Sequence, residues 1–174
     1  MSHGKTILRY LSGIPAIFML LLIFAFSAQD GTTSGSLSYE VGRLLITFAD
    51  RLFSLGLTDT EIAERALSGQ LIIRKLAHIS EYFALTLSFY LPLRVWLPYK
   101  GLSVNGKYFG YRLILPAFSL SLLSAAADEF HQHFVPGRCG TPVDVLVDSV
   151  GIAGGCIVLS ICRSLIHKHR KPAK

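Results

Sequence analysis

Long apolar runs alternate with shorter polar stretches along the chain, and four of the runs approach the length of a membrane-spanning helix. A helix needs about 20 consecutive, mostly apolar residues to cross the hydrocarbon core of a bilayer. The four predicted spans cover about residues 8–29, 72–97, 111–134 and 143–166. The pattern therefore predicts an all-α fold: a polytopic membrane bundle of four transmembrane helices, forming a single domain over residues 1–174.

The first apolar run has two interpretations. It is uncharged from Tyr10 to Gln29 and follows Lys5 and Arg9, an arrangement that is also typical of a cleaved signal peptide. The uncharged stretch is long for the apolar region of a signal peptide. The sequence therefore favours a retained helix.

The connection between the first and second spans, residues 30–71, is itself patterned. Apolar residues recur at helical spacing from Leu37 to Leu55, and polar residues mark the opposite face. This predicts an amphipathic helix in the membrane interface. Thr58 and Glu61 have the spacing of a capping box and predict a second, short helix before the second span.

Composition supports the membrane interpretation. Apolar residues make up 51% of the chain and charged residues only 16%, whereas soluble domains carry about a quarter charged residues. The three cysteines form no CxxC pair, so the sequence indicates neither a disulfide framework nor a thiolate zinc site.

The charges are divided between the connections. The N-terminal end, the connection between the second and third spans and the C-terminal tail hold eleven basic residues and no acidic one, whereas the other two connections hold all 11 Asp and Glu. Basic residues favour the cytoplasmic side. Both termini are therefore predicted to be cytoplasmic, and the amphipathic connection extracytoplasmic. Contact of the basic tail with anionic lipid headgroups explains its charge, so no nucleic-acid partner is implied and the lipid bilayer is the expected partner.

With this orientation, polar groups from all four spans meet at the outer membrane face, where the first span ends with Ser27, Gln29 and Asp30.

The second and third spans contribute polar side chains on defined helix faces. Arg74, His78 and Glu81 follow three- and four-residue steps and share one helix face. In the third span, Asp128 shares a face with either His131 or Gln132. The predicted helices would therefore direct both sets of side chains toward a common polar pocket.

The fourth span adds two acidic residues at the outer membrane face. Asp144 and Asp148 continue at helical spacing into Gly151 and Gly155, and small residues four apart let membrane helices approach closely. The two carboxylates are therefore predicted to face the bundle interior.

Ionisable groups within a membrane span cost about 2.5–3.5 kcal/mol each on insertion scales. Interhelical hydrogen bonds, the alternative explanation, average only about 0.6 kcal/mol, so a functional pocket is favoured for the cluster as a whole. The candidate catalytic residues are His78, Glu81, Asp128, Glu129, His131, Asp144 and Asp148. The candidate substrate-binding residues are Gln29, Arg74, Lys75, Tyr82, Gln132 and Arg138.

Several chemistries fit these side chains. Arg74, Lys75 and Arg138 could hold a phosphate or carboxylate, and His78 or His131 could act as general acid or base. The oxygen and imidazole groups also suit magnesium, manganese or zinc, although their spacing matches no zinc signature. Neither a cofactor nor a metal is assigned by the sequence.

Four motifs, in this order, carry a family resemblance: "FSAQ", "RKLAHISEY", "DEFHQHFVPGR" and "PVDVLVDSVGIAGG". Together they resemble the VanZ-like family of small bacterial membrane proteins. The resemblance implies a multi-pass protein of the cell envelope, in the bacterial cytoplasmic (inner) membrane. The family's namesake is linked to antibiotic resistance, specifically to teicoplanin, but the resemblance implies no reaction.

Three functions therefore stay open at the level of sequence. The protein could be an enzyme acting on a lipid-linked or other envelope substrate. It could be a module that binds or sequesters an envelope ligand, such as a lipid headgroup or a glycopeptide. It could also be a small transporter with a proton relay, and a homodimer would then be needed because four short spans enclose little space.

Overall fold

A computed structural model of the chain describes residues 3–97 and 112–169. Within these residues it contains six helices and no strand, which confirms the all-α prediction. The helices are α1 (His3–Ser12), α2 (Ile14–Ser27), α3 (Gly31–Phe53), α4 (Asp59–Trp96), α5 (Ile114–Gln132) and α6 (Pro142–His169). Several basic residues used to predict the orientation lie outside the described residues: Lys100, Lys107, Arg170, Lys171 and Lys174.

Helix α4 is the central element, because it contacts each of the other five helices. It begins with the predicted capping box, in which Thr58 and Glu61 exchange hydrogen bonds between side chain and backbone. The predicted separate short helix is wrong, since α4 continues without a break to Trp96. Burial of Ile62 and Ala66 where α3 packs alongside explains this continuity.

Helix α3 packs on α4 through small residues. Ser34, Ser38 and Gly42 are its buried positions, so the two helices lie close together. The large apolar side chains point away from the protein, and Leu44 and Phe48 are 70% and 65% exposed. The predicted amphipathic helix is therefore present, with an apolar face that the rest of the described chain does not cover.

The hydrophobic core joins four helices at the middle of the bundle. Each core residue is at most 1% exposed; they are Ile23, Tyr82, Leu85, Ala125 and Ile152. Because α2 contributes to this core, it is an integral part of the described bundle.

Helices α4 and α6 approach closely through the glycines of α6. A Cβ on Gly151 would collide with the carbonyl oxygen of Ile79. One turn later, a Cβ on Gly155 would meet the side chain of Thr86 at 3.0 Å. This contact confirms the predicted small-residue packing, and it turns Asp148 into the bundle, where it is 1% exposed.

The outer surface of the bundle is apolar. Leu21, Leu123 and Leu146, on three different helices, are each at least 66% exposed, an exterior suited to lipid rather than water. Two described helical segments, Arg9–Ser27 and Pro142–Ile166, are long and apolar enough to cross a membrane. The spans predicted on α4 and α5 do not reach that hydropathy within the described residues, because both carry polar and charged side chains into the bundle.

Candidate functional site

A buried hydrogen-bond network centres on Asp128 of α5. One of its carboxylate oxygens accepts hydrogen bonds from Ser27 Oγ at 2.7 Å and from Gln132 Nε2 at 2.9 Å. Gln132 Nε2 also lies 2.9 Å from Ser27 Oγ, so the three side chains form a closed triangle. The triangle ties the end of α2 to the last turn of α5.

Arg138 extends this network from the turn between α5 and α6. Its Nε and Nη2 donate to the carbonyl oxygens of Gln29 and Phe26, at 2.9 and 2.8 Å. Its Nη1 donates to Gln132 Oε1 at 3.1 Å. A guanidinium at the carbonyl end of a helix complements the helix dipole, so Arg138 holds the end of α2 against the turn.

The turn is also fixed from α5 and α6. Thr141 N donates to the buried carboxylate of Glu129 at 3.1 Å. Thr141 Oγ1 donates to Asp144 at 2.7 Å, at the start of α6. The other oxygen of Asp144 pairs with Lys75 Nζ at 3.0 Å, and this ion pair joins the outer ends of α4 and α6.

His78 and Asp148 face each other across the α4–α6 contact. His78 Nδ1 lies 3.8 Å from Asp148 Oδ1, which is too long for a hydrogen bond. Among the residues that the structure describes, neither His78 Nδ1 nor Asp148 Oδ2 has a hydrogen-bond partner. The pair is therefore buried with part of its bonding capacity unused.

These side chains line a polar cleft of about 400 Å³ between α4, α5 and α6. The structure brings most of the predicted site residues to its walls. They are Arg74, Lys75, His78, Glu129, Gln132, Arg138, Asp144 and Asp148. The cleft thus carries three carboxylates and three basic side chains, and Lys75 is already paired with Asp144.

A second cavity, of about 440 Å³, lies between α3 and α4 beside the end of α2. Its walls are largely apolar and include Leu37, Val41 and Leu45 from one face of α3. Gln29 and Glu81, two further predicted site residues, line this apolar groove rather than the cleft. The groove and the cleft share three side chains, which are Arg74, His78 and Arg138.

Other predicted site residues lie outside both cavities. Tyr82 is fully buried in the hydrophobic core, and its hydroxyl donates to the Ser124 carbonyl at 3.5 Å. The ring of His131 packs edge-on against Phe24, with centroids 6.1 Å apart. Asp128 lies in the network beside the cleft without lining it. Of the two residues predicted to share its face, Gln132 is the one that does.

Two further residues of the site are not among the candidate catalytic or substrate-binding residues. Ser27 is buried and binds Asp128, and Thr141 lines the cleft. Thr141 precedes Asp144 by three residues, before an apolar run, which is the spacing of a helix-capping pair. That spacing is a signal by which the sequence could have identified Thr141.

Among the described residues, some polar side chains of the cluster use their hydrogen-bonding atoms within the protein, whereas others have such atoms without a partner. Gln132 and Arg138 are satisfied largely within the network and by backbone carbonyls, and one oxygen of Asp128 accepts two hydrogen bonds, although its Oδ1 has no partner among the described residues. By contrast, Arg74 Nε joins His78 Nδ1 in having no hydrogen-bond partner among the residues in ranges 3–97 and 112–169. Interhelical hydrogen bonding therefore accounts for only part of the cluster.

No curated protein and no solved structure matches the chain. A protein-family model described as VanZ/LLP1 matches residues 13–163. That stretch contains all four sequence motifs and every residue that lines the cleft or the groove. The chain therefore belongs to the VanZ/LLP1 family, which confirms the resemblance carried by its motifs.

Proposed function

We propose that the protein binds an amphiphilic, anionic envelope lipid or lipid-linked precursor in the outer leaflet of the bacterial cytoplasmic membrane. The observation that carries the proposal is the junction of the two cavities at Arg74, His78 and Arg138. A polar cleft that opens into an apolar groove matches a ligand with a charged headgroup and a hydrocarbon tail. The headgroup would occupy the cleft, and the tail would lie along α3 and α4.

The basic side chains at the junction support an anionic headgroup. Lys75 is neutralised by Asp144, and three of the five N–H groups of Arg138 are engaged within the protein. Arg74 lines both cavities, and its Nε has no partner among the described residues. Arg74 is therefore the group we expect to bind a phosphate or carboxylate of the ligand.

The proposal includes four spans with the cleft at the outer face and both termini in the cytoplasm. At the opposite end of the bundle from the cleft, Trp96 Nε1 donates to the Arg9 carbonyl at 3.1 Å. Tyr10 packs edge-on against Trp96, and Arg94 lies in the same last turn of α4. Aromatic and basic residues together are typical of the cytoplasmic interface.

Native mass spectrometry of the full chain, purified from bacterial membranes in mild detergent, tests the proposal. Wild type is expected to retain one lipid, and Arg74→Gln to lose most of it. Arg65→Gln makes the same charge change on an exposed part of α4 and is the matched control. A wild-type spectrum without lipid, or equal retention in both variants, would contradict the proposal.

A second pair of variants tests the groove without changing any charge. Ala77 lines the groove, so Ala77→Leu is expected to fill part of it and reduce retention of the lipid tail. Ala153→Leu adds the same volume at an exposed position of α6 and is expected to retain lipid as wild type does. Equal retention in these two variants would leave the tail site without support.

The same samples distinguish binding from turnover. Incubation with lipid extracted from bacterial envelopes is expected to yield a retained lipid of unchanged mass if the protein is a binding module. A new lipid mass that requires His78 would instead indicate an enzyme with His78 as general acid or base. Teicoplanin susceptibility of cells expressing wild type or Arg74→Gln tests the link suggested by the family's namesake.

A further inference from the structure

Three potential metal ligands converge from three different helices: His78 of α4, Glu129 of α5 and Asp148 of α6. One ligand atom from each lies within 4.8 Å of the others. His78 Nδ1 and Asp148 Oδ1 are 3.8 Å apart, beyond hydrogen-bond distance. Zinc ligands lie about 2.0–2.2 Å from the ion, so two of them can be up to about 4.4 Å apart. The spacing therefore suits two ligands of one cation better than it suits a direct hydrogen bond.

The unused hydrogen-bonding atoms of these side chains also suit a bound cation. Asp148 lines the cleft and is 1% exposed, yet its Oδ2 has no hydrogen-bond partner among the described residues. The same holds for His78 Nδ1. A buried carboxylate oxygen without a donor or a cation is costly. Glu129 is already oriented by Thr141 N, as metal-binding carboxylates commonly are by a neighbouring donor.

From this geometry we infer that His78, Glu129 and Asp148 bind a divalent cation, Zn²⁺ or Mn²⁺, in the polar cleft. One imidazole and two carboxylates are suitable ligands for either ion. Three protein ligands leave coordination positions open toward the cleft, as in catalytic zinc sites. The ion would thus be accessible to a ligand that enters the cleft.

A bound cation also resolves an electrostatic conflict in the proposed binding of an anionic lipid. This role of the ion rests on the proposed function, whereas the ion site itself rests on the side-chain geometry. Glu129, Asp144 and Asp148 line the cleft and would repel an anionic headgroup. A divalent ion held by two of them offsets their charge and can bind a phosphate oxygen directly. Asp144 is already engaged by Lys75, and one oxygen of Asp128 is engaged by Ser27 and Gln132.

The test uses the tag-free full chain in mild detergent, stripped with EDTA and then titrated with zinc chloride. Wild type is expected to bind one Zn²⁺ per chain, measured by elemental mass spectrometry after gel filtration. Loss of groups that merely orient a ligand weakens metal binding about 10–100-fold. Asp148→Asn and Glu129→Gln, which alter ligands, are therefore expected to weaken zinc binding at least about tenfold in competition with a chelator.

Glu64→Gln is the matched control, because it removes the same charge as Glu129→Gln at an exposed position of α4 that lines neither cavity. Its zinc affinity is expected to stay within about threefold of wild type, since only a partly screened charge is lost. Should Asp148→Asn fail to fold, Glu129→Gln and the visible spectrum of Co²⁺ bound to wild type replace it. A Co²⁺ spectrum identical to that of the free ion would overturn the inference.

Two further outcomes would also overturn it: wild type that binds no zinc, or a Glu64→Gln variant as impaired as Asp148→Asn. Lipid retention, measured on the same stripped protein, separates this inference from the proposed function. Lipid retained by a chain that binds no ion would refute the cation site alone. Zinc bound at one per chain with no lipid retained would refute the lipid proposal alone.

Discussion

The close approach of α4 and α6 at Gly151 gives a prediction whose size follows from the structure. A Cβ there would collide with the Ile79 carbonyl oxygen. Overpacking costs about 1–3 kcal/mol, and the upper half of that range applies because a backbone carbonyl cannot rotate away. Replacing a helical glycine by alanine contributes about 0.5–1 kcal/mol of helix propensity in the opposite direction. Gly151→Ala is therefore expected to lower the free energy of unfolding by about 1–2.5 kcal/mol.

Gly154→Ala, on the same helix, is the control. Its Cβ would meet the Phe83 ring at 3.3 Å, and a ring can turn aside. The expected change in the free energy of unfolding is within about 0.5 kcal/mol of zero. Equilibrium unfolding by SDS in mild detergent, followed by the fluorescence of the single tryptophan, Trp96, measures both variants. If the two unfold at the same SDS fraction, the α4–α6 contact is not as described.

The same contact sets the distance across the candidate ion site. His78 directly precedes Ile79, and Asp148 lies three residues before Gly151. Moving α6 away from α4 would therefore lengthen the 3.8 Å separation of His78 Nδ1 and Asp148 Oδ1. We expect Gly151→Ala to bind zinc more weakly than wild type and Gly154→Ala to bind it normally. A destabilised Gly151→Ala variant with wild-type zinc affinity would refute this link.

Three further predictions concern other parts of the molecule. Ser27→Ala removes a 2.7 Å hydrogen bond to the buried Asp128 carboxylate and is expected to cost about 1.5–3 kcal/mol in the same SDS titration; an unchanged midpoint would contradict the network. Hydrogen bonds from Thr32, which make the largest contribution, and from Thr33 lower the pKa of Asp30 from 3.8 to about 2. Its stabilising contribution is therefore present above pH 3.8 and lost toward pH 2, so the difference in thermal unfolding between wild type and Asp30→Ala should shrink over that range; a constant difference would refute this. With the other two cysteines replaced by serine, exposed Cys139 should react with an impermeant maleimide in intact cells; labelling only after permeabilisation would reverse the proposed orientation.

The parts of the site that the sequence predicted well are those fixed by the helical repeat. Asp144, Asp148 and Gly151 were placed on one inward face of the fourth span, and the structure confirms this arrangement. A helix allows little freedom in which side chains share a face. The capping box of Thr58 and Glu61 was predicted on the same basis, since its geometry is local.

The parts that were missed depend on neighbouring helices. Near the end of α5, helical spacing allowed either His131 or Gln132 to face Asp128, and the position of α2 decides for Gln132. Tyr82 was predicted to bind substrate, but its side chain lies in the core between helices. The first part of α4 has the composition of a short separate helix, and packing of α3 makes it continuous with the rest.

The double role of Arg138 determines which variants can separate fold from function. Its guanidinium binds two carbonyls at the end of α2 and the side chain of Gln132. Arg138→Ala would remove these three hydrogen bonds, and the single ammonium of Arg138→Lys cannot reproduce the planar fork. Loss of ligand in either variant would therefore not show that Arg138 binds the ligand. Arg74 lines the same junction, and its Nε has no partner among the described residues. A ligand lost in Arg74→Gln at unchanged stability would locate binding at this junction independently of the network that holds the helices together.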